Sequence, residues 1–178
     1  MKNFKNILIS FLILFFSINP SSQAEVVNEV QVNGNSRITL ETIKIFGDIK
    51  EGKDYDSSEI NLIIKKLYDS TFFSNISITL ENGLLSLTVE ENPIINSITF
   101  KGEKADKYKE SISELLTLRE KTSYRSSFIK SDINIIKEAY RSLGYYFVEI
   151  DAKVEKLNKN MVNIVYLIDK KEKAKISK

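Results

Sequence analysis

The chain has 178 residues, 42% hydrophobic and 28% charged, which suits one ordinary domain or two small ones. It contains neither Cys nor His, which excludes disulfides, thiolate metal sites and every Ser-His-Asp or Cys-His nucleophile arrangement. Lys plus Arg number 26 against 24 for Asp plus Glu, but Lys2 and Lys5 account for the surplus, and an even balance of interspersed charge is not the footprint of a nucleic-acid binder.

The first 24 residues have the three parts of a secretory signal: basic Lys2 and Lys5, an apolar run from Ile7 to Ile18, and a small-residue end at Ser22-Gln23-Ala24. The run is well short of the roughly 20 residues a spanning helix needs, so cleavage after Ala24 is expected. The remainder then folds outside the cytoplasm. From Glu29 to Asn33 the chain alternates as a half-buried strand, with Val30 and Val32 on one face. Thr39 offers an N-cap to a short helix that turns Leu40, Ile43 and Phe46 inward. Asp56-Ser57-Ser58-Glu59 reads as a capping box opening a firmer helix with the stripe Ile60, Ile63, Ile64 and Leu67. Ser74 to Leu80 and Leu84 to Glu90 alternate as strands joined across Glu81-Asn82-Gly83, a hairpin signal.

After the short junction Glu91-Asn92-Pro93 the same plan returns. Pro93 holds the residue before it extended, so the two units should be joined semi-rigidly. A strand leads into Ile98-Thr99-Phe100-Lys101-Gly102. One helix should place Ala105, Tyr108, Ile112, Leu115 and Leu116 on a single face, and a second should place Ile129, Ile133, Ile136, Tyr140 and Leu143 there before Gly144 ends it. Val148, Ile150, Ala152 and Val154 alternate with Glu149, Asp151, Lys153 and Glu155, giving one wet face and one covered by helices. Met161 to Asp169 is more apolar throughout, as suits a central strand.

The repeat can be followed residue by residue. Val30 to Gly34 matches Ile98 to Gly102, Ile63-Ile64-Lys65 matches Ile135-Ile136-Lys137, and Leu85, Leu87 and Val89 match Ile164, Tyr166 and Ile168. The expected organisation is a signal peptide at 1–24, a first domain at 25–93, a second at 94–171, and at 172–178 the possible start of a third, through Lys175-Ile176-Ser177-Lys178.

This tandem arrangement resembles POTRA domains, the polypeptide-transport-associated modules. The opening Val30-x-Val32-x-Gly34-Asn35, the stretch Leu67-Tyr68 to Phe72-Phe73-x-x-Ile76, the run Val89-Glu90-Glu91-Asn92-Pro93, and Tyr140 with Gly144-Tyr145 are similar to the first two domains of the BamA type. One departure is Thr71, where the family tends to carry glycine; a β-branched residue in a left-handed cap is strained, so the helix is expected to end differently there. The resemblance implies an α+β fold of two β-α-α-β-β POTRA domains, each a three-stranded mixed sheet covered on one face by two helices. It further implies the periplasmic region of an outer-membrane β-barrel assembly factor, at the periplasmic face of the outer membrane. Its partners would be unfolded outer-membrane β-barrel proteins and accessory assembly lipoproteins, with membrane association through a barrel absent from this chain. Two readings share the module: the POTRA region of a two-partner-type secretion transporter, and a periplasmic structural scaffold.

No catalytic, cofactor or metal site is expected, and no nucleic-acid partner. Glu90-Glu91, and Glu110 with Glu114, read as solvated carboxylates rather than acid pairs. Tyr145-Tyr146-Phe147 reads as cover for the core, and Asn75-Ile76-Ser77 is only a weak glycosylation pattern. Function should instead sit on sheet edges, where unpaired backbone groups can accept an extended segment as a further strand. The resemblance implies that the first strand of each hairpin is an edge. The candidates are Asn75, Ile76, Ser77, Ile78, Thr79 and Leu80 in the first unit, and Val148, Glu149, Ile150, Asp151, Ala152, Lys153 and Val154 in the second. Against recognition stands the row Glu149, Asp151, Lys153 and Glu155, since charge is a usual defence of an edge.

Overall fold

The computed structural model describes residues 24–173; the signal-peptide reading and the strand reading of 175–178 lie outside the described residues. The first unit runs β1 (Glu25–Val26), β2 (Glu29–Asn33), α1 (Leu40–Gly47), β3 (Asp54–Tyr55), α2 (Ser57–Asp69), β4 (Phe73–Glu81) and β5 (Leu84–Glu91). The caps sit where the sequence places them. Thr39 accepts the Thr42 N–H, while Asp56 accepts from Ser58 and Glu59 and the Glu59 side chain returns to the Asp56 N–H. Ile43, Ile63 and Leu67 are buried against Leu85 and Leu87. Phe46 is the exception to the inward stripe: it is partly exposed, edge-on to Phe72 at 5.1 Å. Asn82 and Gly83 both have positive φ, as a two-residue hairpin turn twisted to suit its strands requires.

The second unit comprises β6 (Ile94–Lys101), α3 (Asp106–Leu115), α4 (Ser127–Ser142), β7 (Glu149–Leu157) and β8 (Met161–Asp169). Ile112, Leu116, Ile136 and Tyr140 are buried over the central strand, but Tyr108 and Leu115 are exposed at 43% and 58%, which corrects the single-face reading of α3. Tyr146 and Phe147 are also exposed, at 59% and 72%, contrary to the expectation that they cover the core. The reason is local. The Val148 N–H bonds back to the Tyr145 carbonyl, so residues 146 and 147 form the corners of a tight turn, and only Tyr145 packs inward, edge-on to Tyr140 at 6.1 Å.

Beside a small antiparallel β1-β3 pair, both three-stranded sheets have one topology: order β2-β5-β4 and β6-β8-β7, the first strand parallel to the central one and the hairpin partner antiparallel. Gly34 (φ 83°) and Gly102 (φ 96°) end the two first strands. A Cβ at Gly34 would lie 2.2 Å from the Val89 carbonyl oxygen, and one at Gly102 would lie 2.0 Å from that of Ile168. These are matched positions of the repeat, so the duplication is preserved in a backbone contact that excludes any side chain.

Buried acidic groups fasten the loops that follow. Glu91 is 8% exposed, and its Oε1 accepts the N–H groups of Ser36, Arg37 and Ile38, each at 2.8 Å. The solvated reading therefore holds for Glu90, Glu110 and Glu114 but not for Glu91. Burial pushes the Glu91 carboxyl up, and the three N–H donors together with Arg37 outweigh it, leaving it below its usual value. In the second unit Glu103 accepts from Tyr140 Oη at 2.6 Å, Ala105 N at 2.8 Å and Lys170 Nζ at 2.9 Å. Burial opposes ionisation there too, but these donors hold its pKa at about 2. Asp132, fully buried on α4, accepts from Thr117 N, Leu118 N and Tyr166 Oη and so ties the loop after α3 to the central strand.

Thr71 follows α2 with φ 67°, so the helix ends through a left-handed residue despite the β-branched side chain, and the expectation of a different ending is corrected. Its conformation is held from outside: Asn92 Nδ2 donates to the Thr71 carbonyl at 2.8 Å and Asn92 N to that of Phe72 at 2.7 Å.

Thr71→Gly and Gly102→Ala should move stability in opposite directions. Relief of the left-handed strain should add about 1 kcal/mol, and the methyl at 102 should remove about 2–4 kcal/mol, both read from urea midpoints. Glu103 has a folded pKa below its unfolded one, so its contribution is complete above about pH 4.5 and is lost as pH falls towards 2. Wild type should therefore lose on the order of 3 kcal/mol more than Glu103→Gln across that interval, measured by urea denaturation at stepped pH; equal losses would contradict the clamp.

Candidate polypeptide-binding edges

Each sheet has two rims, β2 and β4 in the first unit and β6 and β7 in the second. They are not equivalent. The rim of β6 is covered by the chain between α3 and α4: Ile95 N donates to Thr122 O, Lys121 N to Ile95 O, and Tyr124 N to Pro93 O. Further along, the outward N–H of Ile98 is taken by the Glu120 carboxylate at 2.9 Å. An incoming strand finds those positions occupied.

On β7 the candidate residues Glu149, Ile150, Asp151, Ala152, Lys153 and Val154 all lie on the rim strand, and Val148 immediately precedes it. The Ala152 N–H donates to the neighbouring Asp151 carboxylate at 2.8 Å. That bond identifies the even-numbered residues as those with outward backbone groups, and it also occupies one of them. Glu149 is engaged with Lys171 at 3.1 Å. From Lys153 to Leu157 every residue is exposed on either face, so this half of the rim stands clear of the helices.

On β4 the candidates Asn75, Ile76, Ser77, Ile78, Thr79 and Leu80 also form a rim. The Ile76 N–H donates to Tyr68 Oη at 3.2 Å and so points away from β5. Strand alternation then turns the N–H and C=O of Ile78 and Leu80 outward as well, while Ser77 and Thr79 face the ladder with β5. The side chains of Ile78 and Leu80 are half-buried and form one wall of a groove of about 360 Å³ whose other wall is Ile60, Asn61 and Ile64 of α2, closed at one end by Tyr55 and Glu25. With Asp56 also in the lining, an added strand would thus have both a backbone ladder and a partly polar slot for alternate side chains. The family resemblance points to these rims, but neither it nor the periodicity gives any sign of this slot, which requires α2 to lie beside β4.

Residues 93–171 match the POTRA family model, described as a surface antigen variable number repeat. The outer membrane protein assembly factor BamA of Neisseria meningitidis serogroup B is 29% identical over 173 residues, covering 95% of this chain, and that of Neorickettsia risticii is 26% identical over 141 residues, covering 79%. The chain spans about a fifth of the length of these relatives, 22% and 19%. Among solved structures, the N-terminal domain of Omp85 from Thermosynechococcus elongatus superposes with a TM-score of 0.56 at 13% identity, covering 81% of this chain and 63% of that one. The POTRA1-2 unit of Omp85 from Anabaena gives 0.51 at 15%, covering 82% and 96%. Two β-α-α-β-β units with matched glycines, the second fitting the POTRA family model and both together similar to BamA proteins, give this chain the fold of a tandem pair of POTRA domains.

Proposed function

We propose that these domains form the periplasmic region of an outer-membrane β-barrel assembly factor and bind unfolded outer-membrane proteins by strand addition. The observation that carries this reading is the β4 rim, where the outward backbone groups of Ile78 and Leu80 stand beside a groove of mixed lining, with Ile60, Ile64, Ile78 and Leu80 among Glu25, Asp56 and Asn61. Backbone pairing makes little demand on side-chain identity, and alternate residues entering the slot meet this mixed lining, which suits many different barrel strands. Outer-membrane barrel strands alternate in this way. The β7 rim, guarded by Asp151, is the secondary position.

In the same proposal the domains dock accessory assembly lipoproteins, and attachment to the membrane runs through a barrel outside these 178 residues. The similarity to proteins named outer membrane protein assembly factor BamA supports the assembly role within which these contacts are proposed. The reading involves no catalysis: the buried carboxylates Glu91, Glu103 and Asp132 are all engaged with donors of their own fold.

The test is an NMR titration with a nine-residue peptide of alternating Val and Thr. Shift changes should concentrate on Asn75 to Leu80 and on Ile60 and Ile64. Ile78→Pro, which removes an outward N–H, should weaken binding at least about tenfold with little loss of stability, whereas Thr79→Pro removes a ladder bond to β5 and should mainly destabilise. A titration that leaves the β4 residues unmoved would overturn the proposal.

A further inference from the structure

The strand directions place the two candidate rims in line. β4 starts at the junction between the units and runs away from it, whereas β7 runs towards the junction and ends there. Ser74, at the start of β4, and Lys156 and Leu157, at the end of β7, line the same interdomain cleft, of about 360 Å³. The cleft is fixed on its other side by the β7–β8 turn, where Asn160 Nδ2 donates to the Glu91 carbonyl at 3.0 Å and the Asn160 carbonyl accepts the Ile94 N–H at 2.9 Å.

Resting on the strand-addition reading above, we infer that one extended polypeptide segment occupies both rims at once, antiparallel to each, its N-terminal half on β4 and its C-terminal half on β7. A chain antiparallel to β4 travels towards the junction. On crossing the cleft it meets Leu157 first and proceeds towards Glu149, which is again antiparallel. No reversal is needed, because the sense of β4 continues that of β7. Antiparallel addition is favoured over the opposite polarity because it is the more stable ladder per residue.

The side chains on the two rims differ and so give the segment a polarity of composition. The outer face of β4 offers the uncharged Asn75, Ser77 and Thr79, with Glu81 at its far end, whereas that of β7 offers Glu149, Asp151 and Glu155 against Lys153. Directly opposite cross-strand charges attract. The preferred occupant therefore carries hydroxyl residues on the polar face of its first half and basic residues on that of its second. Each rim strand has nine residues, so a segment of about 20 residues covers both and the crossing.

The probe is a 20-residue peptide alternating Ser with Leu in its first half and Lys with Val in its second, compared with its two separate halves by fluorescence anisotropy. Joining the halves converts the second contact into an intramolecular one, so the full peptide should bind at least about tenfold tighter than the better half. A photo-cross-linker near its N-terminus should label β4 around Leu80, and one near its C-terminus should label β7 around Glu149. In Val154→Pro, which removes an outward N–H on the exposed half of β7, the advantage of the full peptide should disappear; the cross-link pattern on the unmodified protein decides the matter if that variant does not fold. A full peptide no tighter than its first half, or cross-links in the reverse order, overturns this inference while leaving the β4 reading in place. Failure of all three peptides to bind overturns the reading beneath it.

Discussion

Parallel pairing of the first strand with the last is the constraint from which the remaining architecture follows. Once β2 lies beside β5 and β6 beside β8, the hairpin partner of each central strand has nowhere to go but the rim. The insertion is made possible by Gly34 and Gly102, where the arriving backbone passes so close to the Val89 and Ile168 carbonyls that a methyl group has no room. The helices then have one sheet face to cover, and their apolar stripes supply the cover. Exposed strand edges are thus inherent in the topology rather than added to it.

Exposed rims are hazardous, and each unit handles them differently. The β6 rim is closed by the segment around Lys121 and Thr122 and by Glu120. β7 keeps its rim but occupies the Ala152 N–H with Asp151. β4 likewise has one outward donor occupied, by Tyr68, with a slot left beside the next two. A binding surface and an aggregation-prone edge have the same chemistry, and what separates them is how much of the row is left available.

Much of this was legible in the sequence because the signals are local. Asp56 with Glu59, Thr39, and Asn82-Gly83 specify caps and a turn through contacts within a few residues, and period-2 and period-3.6 patterns survive in both copies of the repeat. What the sequence did not show depends on partners far along the chain. Glu91 looks like one more surface acid until the N–H groups of residues 36–38 are brought to it. Asp132 sits in a helix whose polar residues otherwise face water, and its partners lie 14 to 34 residues away. β1 and β3 have two residues each, too few to display any period. Thr71 contradicts its own propensity because Asn92 holds the backbone it belongs to, and Tyr146 and Phe147 are apolar residues stranded on the corners of a turn.

The two loop clamps also differ in a way that bears on how a duplicated chain folds. Under the register that matches Val89 with Ile168, Glu91 corresponds to Lys170. The first copy has its acid at the end of the central strand, while the second has its acid in the loop and a cation at the strand end. If the strands were exchanged between neighbouring copies, Lys170 would meet three backbone N–H groups and Glu91 would meet the buried Glu103. Tandem repeats are prone to such swapped assemblies, and opposite charges at one equivalent position make the wrong exchange electrostatically repulsive at the point where each sheet closes.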